Sequence, residues 1–237
     1  MAPTGTGPAC ADAIADPPVP SPASPTVELG PAPAGPWRVG TRIFHFVDGA
    51  RPEVATDDPD DHREVVIQLF YPTDADGPAA GLMADADGAA LYTPDGSWPA
   101  VREDVRTHST FDVPLSGGRA RWPLLLYSHG LGGPRHDNRD LLESLASQGV
   151  VVAAVSHTFY DWSTTLTSGA ITRLEALART TQDERNRIWD DDLRFVIGEL
   201  ERPRPSGCGR GGQGRILSIW HSSAVWQTES HPSMPHG

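Results

Sequence analysis

The residues best suited to chemistry are Ser128-His129-Gly130-Leu131-Gly132-Gly133, a Gly-rich turn directly after the apolar run Leu124-Leu125-Leu126-Tyr127. Glycines at a strand-to-helix junction let backbone N–H groups face outward, where they can hold the oxyanion that forms during acyl transfer. One such donor is typically worth roughly 2.7 to 4 kcal/mol of transition-state stabilisation. Two other readings of the turn stay open. One is a purely structural turn. The other is a phosphate-binding dinucleotide turn, which Gly130-Leu131-Gly132 begins. Against it, Arg135 stands where the third glycine belongs, and the following apolar run ends in Ser156-His157 rather than in a ribose-binding acid.

Acyl transfer by a serine needs a nucleophile on a sharp turn, and G-x-S-x-G supplies it because glycines flank a strained position with no room for side chains. The chain contains no such pattern. The nearest stretch in position is Ile219-Trp220-His221-Ser222-Ser223-Ala224-Val225, which makes Ser222 the candidate nucleophile position, with Trp220 and Ala224 where the glycines should stand. That strain argues for an ordinary tail serine. His231 and His236 lie in a Pro-rich tail without an element to orient them, and an unoriented imidazole is a poor general base. His129, His136 and His157 form no H-E-x-x-H or similar ligand set, so no metal is expected and the three read as loop residues. Asp190-Asp191-Asp192 reads as the solvated face of a helix.

Composition narrows the class. The 237 residues suit one domain, and 24 glycines and 23 prolines imply long irregular stretches. All 19 cationic residues are arginine, and the formal charge of −12 repels a phosphate backbone, so nucleic acid is not an expected partner. Cys10 and Cys208 show no CxxC spacing and indicate neither a disulfide framework nor a zinc site. No run approaches the roughly 18 apolar residues of a membrane span, and the N-terminus lacks a basic region and an apolar signal core. The default location is therefore cytoplasmic, with oligomeric state left open.

The elements that must position the turn follow from periodicity. Residues 1–36, rich in Ala, Pro, Thr and Ser, read as a disordered leader. Arg42 to Val47 and Glu64 to Tyr71 are strand-like, whereas Thr73 to Arg121 reads as a long surface connection. Leu124 to Tyr127 and Val150 to Val155 have the continuous apolar character of strands buried on both faces. Between them, Asp140 to Ala146 has helical spacing and Gly149 is placed to cap it, giving a βαβ unit. A second helix is predicted from about Thr181 to Glu201, with Ile188, Leu193, Val196, Ile197 and Leu200 on one face. A last short strand is predicted at 215–219.

The stretch Pro123 to Gly133, followed by Leu145-Ala146-Ser147-Gln148-Gly149-Val150-Val151-Val152-Ala153-Ala154-Val155-Ser156-His157-Thr158, resembles the platelet-activating factor acetylhydrolase group of α/β-hydrolases. Gly35-Pro36-Trp37-Arg38-Val39-Gly40-Thr41 and Gln68-Leu69-Phe70-Tyr71-Pro72 resemble the front of its bacterial members. The resemblance implies an α/β fold, a mostly parallel sheet with helices on both faces. It also implies a Ser-His-Asp ester hydrolase that needs no cofactor and acts on a small ester or phospholipid. Leu131 would give an oxyanion-hole N–H within a loop of His129, Gly130, Gly132 and Gly133, and His157 would be a framework residue near the site. The family's acid and base would lie well beyond the nucleophile. The expectation is thus an incomplete α/β-hydrolase domain over 37–203, with an irregular tail over 204–237 that a frame shift would explain, inactive as it stands. A catalytically dead relative that binds a lipid or partner, and a gene fragment without function, are the other readings.

Overall fold

The computed structural model describes residues 27–28, 30–81, 105–202 and 220–227. In chain order its strands are β1 (Val27–Glu28), β2 (Arg38–Pro52), β3 (His62–Thr73), β4 (Ala79–Gly81), β5 (Val105–Phe111), β6 (Trp122–Ser128), β7 (Val151–Ser156), β8 (Thr164–Thr165), β9 (Ile171–Thr172) and β10 (Trp220–Gln227). Two α-helices lie among the described residues, α1 (Arg139–Ser147) and α2 (Gln182–Glu201), with a 3-10 turn at Leu174–Ala178. The main sheet runs β1-β5-β2-β3-β7-β6-β10, with β4 paired to β5, while β8 and β9 form a separate antiparallel pair.

The strands that flank the turn form where the apolar runs require them. The β6 and β7 strands pair in parallel, Leu124 opposite Val151 and Ser128 opposite Val155. Successive residues point to opposite faces, and both faces are covered. Leu124, Leu126, Val151, Ala153 and Val155 pack with Leu193, Val196 and Leu200 of α2, whereas Tyr127, Val152 and Ala154 pack with Leu142 and Ala146 of α1. The α1 helix ends as its glycine predicts. Gly149 takes φ of +94°, its N–H donates to the Ala146 carbonyl, and that of Val150 donates to Leu145, the paired bonds of a Schellman ending. On the opposite face, Thr181 caps α2 with a reciprocal box: its hydroxyl accepts from the Glu184 N–H, and the Glu184 carboxylate accepts from the Thr181 N–H. Ile188 does not join the other predicted core residues of α2 but packs with Ala55, Tyr160, Ala176 and Trp189.

Several expectations change. The sheet is mixed rather than mostly parallel, because β2–β3 and β3–β7 are antiparallel. The stretch 73–121 is not only a surface connection: β5 pairs in parallel with β2 and antiparallel with β4. Its polar side chains hid it, since Thr107 and Ser109 are buried, and the Ser109 hydroxyl and the His108 N–H both donate to Glu143 on α1. Order also starts before residue 37, for β1 pairs with β5, and Gly35 and Trp37 donate their N–H groups to Ser147. The strand predicted at 215–219 lies outside the described residues, as do His231, His236, Cys10 and Cys208; the strand beside β6 is β10.

Candidate active site

The turn begins where β6 ends and lies beside the end of β7, at the carboxyl ends of two parallel strands, the position that open α/β sheets use for ligands. Gly132 adopts φ of +80°, which a side-chain-bearing residue resists. Its N–H donates to the Tyr160 carbonyl at 3.1 Å, and the Gly133 N–H donates to the Gly130 carbonyl at 2.8 Å. Leu131, 42% exposed, stands at the tip of the turn, and among the described residues its N–H has no acceptor.

Beneath the turn lies a fully buried polar chain. The Ser128 hydroxyl is 2.9 Å from His157 Nε2, and His157 Nδ1 is 2.9 Å from Asp192 Oδ2. Asp192 in turn receives two bonds from Arg63, at 3.1 and 2.7 Å, and an ion pair from Arg51 at 3.0 Å. Arg63 also donates to Glu53 and to the Thr158 carbonyl. Burial works against the charge on Arg63, but Asp192 and Glu53 outweigh it and raise its pKa. Burial likewise pushes the Asp192 carboxyl up, and Arg63 with His157 overcomes that and holds it well below the ordinary range. The imidazole of His157 is depressed first by burial, against the support of Asp192. A neutral His157 then carries its proton on Nδ1, donates it to Asp192 and accepts the Ser128 O–H at Nε2.

A second buried imidazole abuts the first. His129 Nδ1 donates to the Gly130 carbonyl at 2.7 Å, and its Nε2 accepts the His157 N–H at 3.4 Å. Burial, with His157 beside it, pushes the His129 pKa down to about 3. Trp189 lies flat on the His157 ring, centroids 4.4 Å apart and planes 3° apart, and meets His129 edge-on. Both histidines lie in loops one residue past their strands, as the sequence suggested, but are buried, because a Ser-His pair at a strand end is carried into the interior with the strand. Among the described residues no cluster of His, Cys, Asp and Glu is placed to hold a metal ion, and no described helix is long and apolar enough to cross a membrane.

The structure therefore brings together Ser128, His129, Gly130, Leu131, Gly132, Gly133 and His157, and adds Arg63 and Trp189, which the sequence did not single out, and Asp192, which it assigned to a solvated face. Asp192 is the correction to the solvated acidic run: Asp190 and Asp191 are exposed, but Asp192 is buried. Helical phase was the available signal, since 192, 196 and 200 repeat every four residues on the core-facing side. Ser222 is not brought to the turn. It pairs with Leu124 inside β10, whose described end, Gln227, pairs with Ser128. An elbow requires the end of a strand and not its interior.

The strand path β2-β3-β7-β6-β10, its mixed senses and a helix packed on each face define an α/β-hydrolase sheet. Residues 98–190 match the family described as platelet-activating factor acetylhydrolase, isoform II. The fold is similar to that of a ferulic acid esterase from Streptomyces cinnamoneus, at a TM-score of 0.61 and 28% identity over 84% of this chain and 55% of that one. The chain thus spans about half the length of the structure it matches. A search of curated proteins found no match. Over residues 98–190 the chain is thus similar to the platelet-activating factor acetylhydrolase family, and its fold is similar to that of an esterase. The matched segment contains the turn and His157 and stops two residues before Asp192.

Proposed function

We propose that the chain derives from a carboxylic ester hydrolase working by Ser-His-Asp acyl transfer on a small ester or phospholipid, without a cofactor, and that this chain is itself inactive. The observation that carries the reading is the Leu131 amide. It stands at the exposed tip of a turn whose Gly132 and Gly133 amides are already bonded, at the carboxyl ends of parallel strands. An N–H held outward by a rigid turn is the donor an ester carbonyl needs as its oxygen gains charge. The match over residues 98–190 and the likeness to a ferulic acid esterase support the same chemistry. A nucleophile would attack the carbonyl carbon while the Leu131 amide holds the oxygen; the alkoxide then leaves as an alcohol and water releases the acid.

The proposed inactivity is supported by the lack of a G-x-S-x-G elbow in this sequence and by the place of Ser222 within β10. The same facts favour, as a second reading, a relative that binds an ester-bearing lipid without cleaving it. Hydrolysis of p-nitrophenyl acetate separates these cases. The chain should turn over the ester no faster than its Ser222→Ala variant; activity that this substitution abolishes would make Ser222 the nucleophile. In a form completed by reading the gene in the frame that restores an elbow after about residue 204, Leu131→Pro should lower turnover by about 10² or more. An undiminished rate in a variant still folded by circular dichroism would place the oxyanion hole elsewhere.

A further inference from the structure

The Ser128–His157–Asp192 chain has the spacing of a nucleophilic triad, and its surroundings argue that it does different work. A general base must become an imidazolium while it holds the nucleophile's proton, and the acid beside it stabilises that charge. Here the Asp192 charge is already taken up by two bonds from Arg63 and the ion pair with Arg51. Access is lacking as well. Ser128 is 1% exposed, His157 is fully buried, and the Trp189 indole covers the imidazole face.

What His157 does touch is the turn, by three routes. Its ring accepts from Ser128, the first residue of the turn. Its N–H reaches His129, whose own ring donates to the Gly130 carbonyl. Its carbonyl accepts the Tyr160 N–H at 2.8 Å, and the Tyr160 carbonyl accepts the Gly132 N–H. Ser128, Gly130 and Gly132 are thus all referred to His157, the first through its imidazole and the other two through its main chain, and the residue is anchored by a carboxylate on α2 that Arg63 of β3 locks in place. We propose that Asp192, acting through His157, is a positioning residue that holds the 128–133 turn and so aims the Leu131 amide. The inference depends on the ester-hydrolase reading only for what the amide is aimed at.

Hydrogen exchange of single amides by NMR tests this on the chain as it exists, because Gly132 and Gly133 donate inside the turn whereas Val152 and Ala153 report on the sheet core. His157→Phe keeps a ring against Trp189 and removes both ring hydrogen bonds. It should speed exchange at Gly132 and Gly133 by about tenfold or more while leaving the core amides unchanged. His157→Gln can accept from Ser128 and donate to Asp192 and should restore most of the protection. If the Phe variant does not fold, Ser128→Ala, which cuts the ring route but leaves His157 bonded to Asp192, should give a smaller loss confined to the same two glycines. Unchanged turn exchange in a folded Phe or Ala variant, or a uniform change across turn and core, would overturn the assignment. So would labelling of Ser128 by a fluorophosphonate probe, which requires a working nucleophile. No part of the exchange experiment needs turnover. An ester-inactive completed protein with a protected turn would count against the hydrolase reading and leave the positioning role standing.

Discussion

Asp192 and Arg63 are two buried charges whose value lies in each other's presence. Desolvating them is costly, and the bidentate contact offsets that cost only while both remain. Removing one partner strands the other, so Asp192→Leu should lower unfolding free energy by about 3 to 5 kcal/mol. Combining it with Arg63→Met should recover a large part of the loss, although Glu53 then loses its partner and limits the recovery. Urea unfolding of the two single variants and the double gives the coupling directly. Additive losses would mean that the pair is not a unit. At this scale the sequence was informative where backbone chemistry has a local signature. The spacing of Gly130, Gly132 and Gly133 marks a turn, and Leu131 falls at its tip. For Asp192 the signal lay in helical phase alone, because three consecutive aspartates look alike until the helix is rotated against its core, and for Arg63, whose partner is 129 residues away, it was uninformative.

The α2 helix carries Asp192 into the site, so the stability of its first turn bears on the site's geometry. Mean hydropathy is low along this helix, and buried positions are confined to Asp192, Leu193, Val196, Glu199 and Leu200. The entry is secured by the box between Thr181 and Glu184. Thr181→Ala should cost about 1 kcal/mol, and Thr181→Ser, which keeps the hydroxyl, only a few tenths. Equal losses in the two variants by chemical denaturation would show that the hydroxyl does not cap the helix. The box was readable as T-x-x-E ahead of a periodic run, just as Gly149 marked the end of α1. Strand sense was not. Because β3 is buried on both faces, its run from Val65 to Tyr71 looks the same in a parallel or an antiparallel neighbourhood, and β5 looked like loop because its partner for the polar side chains is Glu143 on α1.

Across the whole molecule, the buried titratable groups set how stability depends on pH, and two kinds of group pull in opposite directions. His129, His136 and His157 are all held neutral, each chiefly by burial. Their folded pKa values lie below the unfolded value, so the stability they contribute is complete above about 6.5 and is lost as pH falls below it. At pH 5 His129, with its folded value of about 3, forfeits roughly 2 kcal/mol, and His136 and His157 add to the loss in the same direction. Thermal unfolding should therefore show a marked fall in Tm between pH 7 and pH 5, and a flat profile there would show that these imidazoles are not kept neutral.

Asp161 acts the other way. It is buried within the loop that follows β7, with Thr164 as a hydroxyl donor, and burial raises its carboxyl to about 6 despite Thr164, Ser156, Arg135 and Arg63. A folded pKa above the unfolded 3.8 favours the protonated folded form, so its contribution is complete below 3.8 and is lost as pH rises through about 6. At neutral pH the ionised, buried carboxylate carries a penalty of roughly 3 kcal/mol, of which about 1 kcal/mol remains at pH 4.5. Asp161→Asn removes the charge and keeps an oxygen for Thr164. Whatever the substitution costs in packing is the same at every pH, and only the electrostatic part varies. The difference in unfolding free energy between the variant and the parent should therefore move in the variant's favour by about 2 kcal/mol between pH 4.5 and pH 7.5. Paired urea titrations at those two pH values measure it, and a pH-independent difference would mean that Asp161 ionises as easily in the folded chain as in the unfolded one.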